Sequence, residues 1–114
     1  MTAMPVPPIG EPAAHVASLA GMVDYQPGGI VSRQLLKKPA GNVTLFAFDQ
    51  HQELAEHTSP FDALVLVIDG ESEISVAGEP HLVRGGETIL LPAQVPHAVK
   101  AVSRFKMLLT MIRA

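Results

Sequence analysis

The residues of this 114-residue chain best equipped for chemistry are its five histidines, His15, His51, His57, His81 and His97. Neutral imidazole is a ligand for zinc, iron, nickel and copper, and it titrates near neutral pH. Oxygen donors gather around His57: Gln52, Glu53, Glu56 and Asp62, with His51 standing six residues before it. Two histidines and one carboxylate would make the facial arrangement of non-haem iron oxygenases, with positions left open for substrate and oxygen. The plain alternative for each polar residue is a solvated turn or strand edge. Other chemistries are closed off. The chain has no cysteine, so disulfides, thiolate metal sites and a cysteine nucleophile are excluded. It also has no glycine-rich phosphate loop, no nucleophile elbow and no glycosidase-like carboxylate pair.

The elements that must position these residues are short. Residues 1–14 are rich in Pro and Ala without periodicity and read as a flexible arm, leaving 15–114 as one domain. His15 to Val23 is expected to form a short helix, because Val16, Leu19, Ala20 and Val23 share one face, although Gly21 weakens it. From Ile30 onward, short runs alternate with turns. Strands are expected over Ile30–Lys37, Val43–Asp49, Asp62–Ile68, Glu71–Ala77, His81–Arg84, Thr88–Leu91, His97–Val102 and Phe105–Ile112. Pro39-Ala40-Gly41-Asn42 is a hairpin signal, and Asp69-Gly70 is the dipeptide favoured by a tight type I′ turn. Eight or nine closely spaced strands imply a sandwich or barrel.

Two strands are apolar on both faces. Ala63, Val65 and Val67 oppose Leu64, Leu66 and Ile68, and Phe105, Met107, Leu109 and Met111 oppose Leu108 and Ile112. A wall with water outside should alternate, so the N-terminal segment or a second subunit must cover the outer face. A homodimer is therefore expected. Ile74, Val76, Val83, Ile89 and Leu91 should supply much of the core, whereas Met107 and Met111 read as core by their alternation.

Lys plus Arg total 8 against 11 Asp plus Glu, with no basic block beyond Lys37-Lys38, so nucleic acid is a poor partner. The apolar run Ala63 to Ile68 is too short to span a bilayer. Met1 to Pro12 holds four prolines and no Lys or Arg, unlike a secretory signal. The expectation is a soluble, cytoplasmic protein that does not partner with membranes.

Two stretches carry a resemblance to a known superfamily. Gly86, Pro92 and His97 keep the spacing of the second cupin motif (Gly, five residues, Pro-x-Gly, two residues, His, three residues, Asn), with Gln94 at its glycine and Ala101 at its asparagine. His57 and Gly70 keep the spacing of the first motif. There His51 stands at the leading glycine, Ser59 at the second histidine and Ala63 at the glutamate. The chain resembles a small, single-domain cupin, an all-β, jelly-roll β-barrel, here with a short N-terminal helix.

The resemblance implies that His57 and His97 enter one cavity. It further implies that they can hold a divalent metal, zinc, iron, nickel or manganese, with His51 and Gln52 as the further candidate ligands. His97 should face inward with Val99 while Lys100 points out. Three readings follow. One is a cupin binding a divalent metal or small polar ligand or substrate, with oxygenase- or isomerase-type chemistry. Another is a non-catalytic binding or sensing module without metal, and the third is a structural dimer. His81 and His15 are read as surface residues.

Overall fold

The computed structural model describes residues 14–113, so all but the last residue of the expected arm lies outside the described residues. Nine strands follow in chain order. They are β1 Ile30–Lys38, β2 Gly41–Phe48, β3 Glu53–His57, β4 Phe61–Asp69, β5 Glu71–Val76, β6 Glu79–Arg84, β7 Thr88–Leu91, β8 His97–Ala101 and β9 Phe105–Arg113. The larger sheet has the order β1-β2-β9-β4-β7 and the smaller one β3-β8-β5-β6, and every pairing is antiparallel. Only β1 to β2 and β5 to β6 stay within one sheet; every other connection carries the chain across to the opposite sheet. This interleaving is the jelly roll, with β1 added at one edge.

Alternation fixes which row of each strand faces inward. Ala63, Val65 and Val67 of β4, Ile74 of β5, Val83 of β6, Leu91 of β7, Val99 of β8 and Phe105 and Met107 of β9 form one buried cluster. Val76 and Ile89 pack against it half-buried. Phe48 and Phe105 are cross-strand partners with rings stacked at 4.6 Å between centroids. Ser72 is fully buried in the Ile74 row and donates its hydroxyl proton to the Val83 carbonyl at 3.0 Å. That bond offsets the cost of burying a hydroxyl.

The outer face of the larger sheet is covered in part by the N-terminal segment. Val23 is buried against Leu45 and Ala47, with Leu19, Met22, Tyr25, Ile68 and Leu108 around them. The expected helix over His15 to Val23 is only a four-residue 3-10 turn, Leu19–Met22. Val16 is exposed and Val23 is extended. So short a segment cannot sustain an α-helix, and the sheet surface dictates its path instead. Side chains pin it there. The Tyr25 hydroxyl donates to Asp69 Oδ2, the Arg104 guanidinium lies 4.0 Å over the Tyr25 ring, and Lys106 Nζ donates to the Ala20 carbonyl at 2.6 Å. Burial, with the Asp69 carboxylate next, pushes the Tyr25 phenol well above its ordinary value.

Asp69-Gly70 is not a hairpin turn. β4 and β5 belong to different sheets, so Gly70 sits at the corner where the chain changes layers. Its φ is +78°, and a Cβ there would lie 2.0 Å from the Arg104 carbonyl oxygen. The turn with positive φ at both central residues is Ala77-Gly78, between β5 and β6. His51 and Gln94 also have positive φ, 70° and 64°, and both occupy positions where the cupin motifs carry glycine. The backbone has kept the glycine conformation without the glycine.

Gly70→Ala should therefore cost about 2 kcal/mol or more, through the left-handed φ and the carbonyl clash. Gln94→Gly should raise stability by about 0.5 kcal/mol, since relief of left-handed strain exceeds the added chain entropy. Urea denaturation midpoints would measure both. A gain for Gly70→Ala or a loss for Gln94→Gly would contradict the backbone reading.

Candidate functional site

β3 lies at the edge of the smaller sheet and pairs with β8, placing His57 directly opposite His97. Leu54 pairs with Val99, so β3 spends three residues reaching His57 while β8 spends two reaching His97. This bulge matters because strict alternation from inward-facing Leu54 would turn Glu56 into the barrel and His57 out. The extra residue reverses that. The two imidazoles meet edge to face, with centroids 4.4 Å apart and an interplanar angle of 69°.

Each ring is held by the carbonyl two residues before it. His57 Nδ1 lies 2.8 Å from the Ala55 oxygen and His97 Nδ1 lies 3.2 Å from the Val95 oxygen. A carbonyl can only accept, so in both neutral rings Nδ1 carries the proton and Nε2 keeps its lone pair. This is how a histidine is prepared to act as an Nε2 ligand or hydrogen-bond acceptor. His97 is buried, and burial is the main cause holding its pKa below the ordinary histidine value. The Val95 carbonyl opposes that shift, and His57 adds to it. His57 is exposed on its outer side.

The pair opens onto a cavity of about 70 Å³ inside the barrel. Ser59 supplies its remaining polar side chain, and its wall is otherwise aliphatic or thioether: Leu54, Ala63, Val65, Leu91, Val99, Met107, Leu109 and Met111. Ser59 Oγ accepts a hydrogen bond from the Phe61 amide at 3.1 Å, leaving its O–H to donate. The Gln94 amide donates to the Ser59 carbonyl at 2.8 Å, which ties together the loops before β4 and β8.

The expected site residues thus divide. His57 and His97 come together, and His97 faces inward with Val99 while Lys100 is exposed. His51 and Gln52 lie in the turn before β3 and do not line the cavity. His51 is exposed, and its amide donates to the Ala101 carbonyl. Glu53 and Glu56 border a shallow depression on the outer side with Glu73 and Lys100. The Ala93 amide donates a hydrogen bond to Asp62 Oδ1 at 2.8 Å, so Asp62 braces a turn. Among the described residues no three His, Cys, Asp or Glu side chains group as metal ligands. Met111 was legible only as a core residue, although its place in the inward row of β9 was the signal that it reaches the cavity. A larger open groove, about 880 Å³, runs between the N-terminal segment and β1, lined by residues such as Asp24, Gln26, Arg33 and Gln34 and by none of the histidines.

Comparison with known proteins agrees with this architecture. A conserved protein of unknown function from Streptococcus pyogenes is 33% identical, with a TM-score of 0.87, over 100% of this chain and 96% of that one. A cupin 2 conserved barrel domain protein from Leptotrichia buccalis is 44% identical, with a TM-score of 0.81, over 82% of this chain and 46% of that one. A cupin superfamily protein from Desulfitobacterium hafniense shares the fold at 23% identity and a TM-score of 0.84, over 90% of this chain and 94% of that one. No curated protein matches the chain. The cupin-domain family model matches residues 44–113, which run from within β2 to the end of β9 and include both histidines. With the motif spacings, the jelly roll and the inward histidine pair, that match identifies the chain as a member of the cupin family.

Proposed function

We propose that this cupin holds a transition-metal ion on Nε2 of His57 and His97, leaving further coordination positions for a small polar ligand. The observation that carries this reading is the pair of backbone carbonyls that fix both rings with Nε2 lone pairs available. The cavity volume, about 70 Å³, suits an ion with a small ligand and lies far below the few hundred Å³ of a typical pocket for drug-sized molecules. A bound metal would act as a Lewis acid towards that ligand. The Ser59 hydroxyl would donate to a polar atom of the ligand, and the Leu and Val walls would exclude water.

A second reading is a metal-free binding or sensing module. It is supported by Ala63 and Ser59, which offer neither carboxylate nor imidazole where the cupin motif has both. In that case the two Nε2 atoms accept hydrogen bonds from an O–H or N–H of the ligand. No particular reaction follows from either reading, because one barrel hosts many chemistries.

We also propose a homodimer through the part of the larger sheet that the described residues leave exposed. Leu90, Leu64, Thr110, Val43 and Leu36 stand in register across all five strands on the outer face. Leu36, Leu64 and Leu90 are 51%, 46% and 58% exposed, and Ile112 beside them is 61% exposed. The N-terminal segment packs instead over Leu45, Ala47, Ile68 and Leu108. A two-fold contact is the commonest cover for such a row.

Untagged protein should bind about one equivalent of metal per chain, and His57→Ala or His97→Ala should each release it while His81→Ala does not. Wild-type protein that takes up no transition metal would leave the ligand-binding reading. His97 also sets a pH dependence. Because the folded pKa of His97 is lowered, the unfolded chain binds more protons once the pH falls below about 6.5. Stability should therefore fall through that range, and His97→Gln should flatten the fall in urea midpoints; an unchanged slope would contradict it. Light scattering should give twice the 12.1 kDa chain mass, reverting to 12.1 kDa in Leu64→Arg/Leu90→Arg. A wild-type monomer at micromolar concentration would rule the dimer out.

A further inference from the structure

We infer that the ion this pocket selects is copper(I), held by His57, His97 and the thioether sulfur of Met111. The inference rests on the metal reading of the histidine pair and names the kind of ion. The donors that line the cavity, among the described residues, single out the kind of ion. The wall offers two imidazoles, one hydroxyl and two thioethers, and no carboxylate. Glu53 and Glu56 lie on the outer side and Asp62 is engaged by the Ala93 amide, so among the described residues no nearby acid is placed to join them.

That inventory decides both charge and softness. Two neutral imidazoles and a thioether bring no negative charge, so any ion enters an apolar cavity uncompensated. The cost of placing an ion in a medium of low dielectric grows as the square of its charge, so a monovalent ion faces a quarter of the penalty of a divalent one. Manganese favours carboxylate, carbonyl and water oxygens, non-haem iron adds a carboxylate to its two histidines, and zinc normally requires three or four protein ligands. Copper(I) accepts low coordination and is selected by soft sulfur donors, thioethers included.

Register singles out Met111. It is the direct cross-strand partner of Ala63, the position at which the cupin motif carries its carboxylate. Alanine leaves that space open, and Met111 is the sulfur-bearing neighbour across the ladder, only half-buried. Met107 pairs with Val67, is 1% exposed and belongs to the close-packed cluster with Phe48 and Phe105. A flexible, polarisable side chain thus stands across the ladder from the position at which the motif carries its carboxylate.

The test is an anaerobic titration of untagged protein with copper(I) against a chromogenic copper(I) chelator, with parallel zinc(II) and manganese(II) titrations. The expected result is one copper(I) per chain, bound more tightly than either divalent ion. Met111→Leu, close to volume-conserving, should weaken copper(I) by about tenfold or more and leave zinc(II) unchanged. X-ray absorption of the copper(I) complex should show a sulfur neighbour that Met111→Leu removes and Met107→Leu retains. Zinc(II) or manganese(II) binding more tightly than copper(I) would overturn the inference while the histidine-pair reading stands. So would a copper(I) affinity or sulfur signal insensitive to Met111→Leu. Protein that binds none of the three ions would overturn both.

Discussion

Two sheets can close on one another only if their strands together present apolar rows to the space between them, and most of this molecule follows from that requirement. It accords with the interleaved order of the strands, in which all connections but β1 to β2 and β5 to β6 cross between layers. It also explains why the core is continuous from Phe48 and Phe105 to Leu91 and Val99. The same requirement governs the site. Polar side chains enter the barrel only where they occupy the inward row, and each must then be satisfied there. Ser72 is satisfied by the Val83 carbonyl, His97 by the Val95 carbonyl and His57 by the Ala55 carbonyl. In the histidines this satisfaction leaves the second nitrogen uncommitted.

The bulge in β3 is the local departure that makes the pair possible. A regular ladder would have sent Glu56 inward and produced an acidic cavity facing His97. One extra residue exchanges a carboxylate for an imidazole. With Ala63 and Ser59 in the remaining motif positions, the cavity lacks the motif's carboxylate and one of its three imidazoles and keeps two nitrogen donors. Its wall has become aliphatic and thioether in the same measure. The electrostatic character of the site therefore differs from that expected of a cupin with its full ligand set, even though the barrel itself is unchanged.

Much of the barrel was readable from spacing, because buried rows repeat with period two and the corners need glycine or an equivalent φ. Thr88–Leu91 agrees with its expected bounds, and the other expected strands lie within two residues of theirs. The departures have physical causes. β3 is short, polar and at a sheet edge, so ELAEH carries no apolar alternation to reveal it. The helical pattern around Val16 to Val23 was overridden by the sheet on which Val23, Leu19 and Met22 lie. Asp69-Gly70 has the composition of a hairpin turn, but its glycine serves a layer crossing against the Arg104 carbonyl, a contact that local sequence does not encode. His57 and His97 were found through motif spacing, whereas the role of Met111 depends on its partner across the ladder. His51 illustrates the reverse case: good ligand chemistry placed at a position whose backbone is a turn.

The central claim is that two backbone carbonyls hold His57 and His97 as Nδ1–H tautomers with both Nε2 lone pairs available to a ligand. The most direct measurement is a long-range proton–nitrogen NMR correlation of the imidazole rings in metal-free protein near pH 8. The account predicts a protonated Nδ1 and an unprotonated Nε2 for both residues, with the Nε2 resonances alone shifting strongly when ligand or metal is added. Nε2–H tautomers at His57 and His97, or rings averaging freely between the two forms, would contradict it.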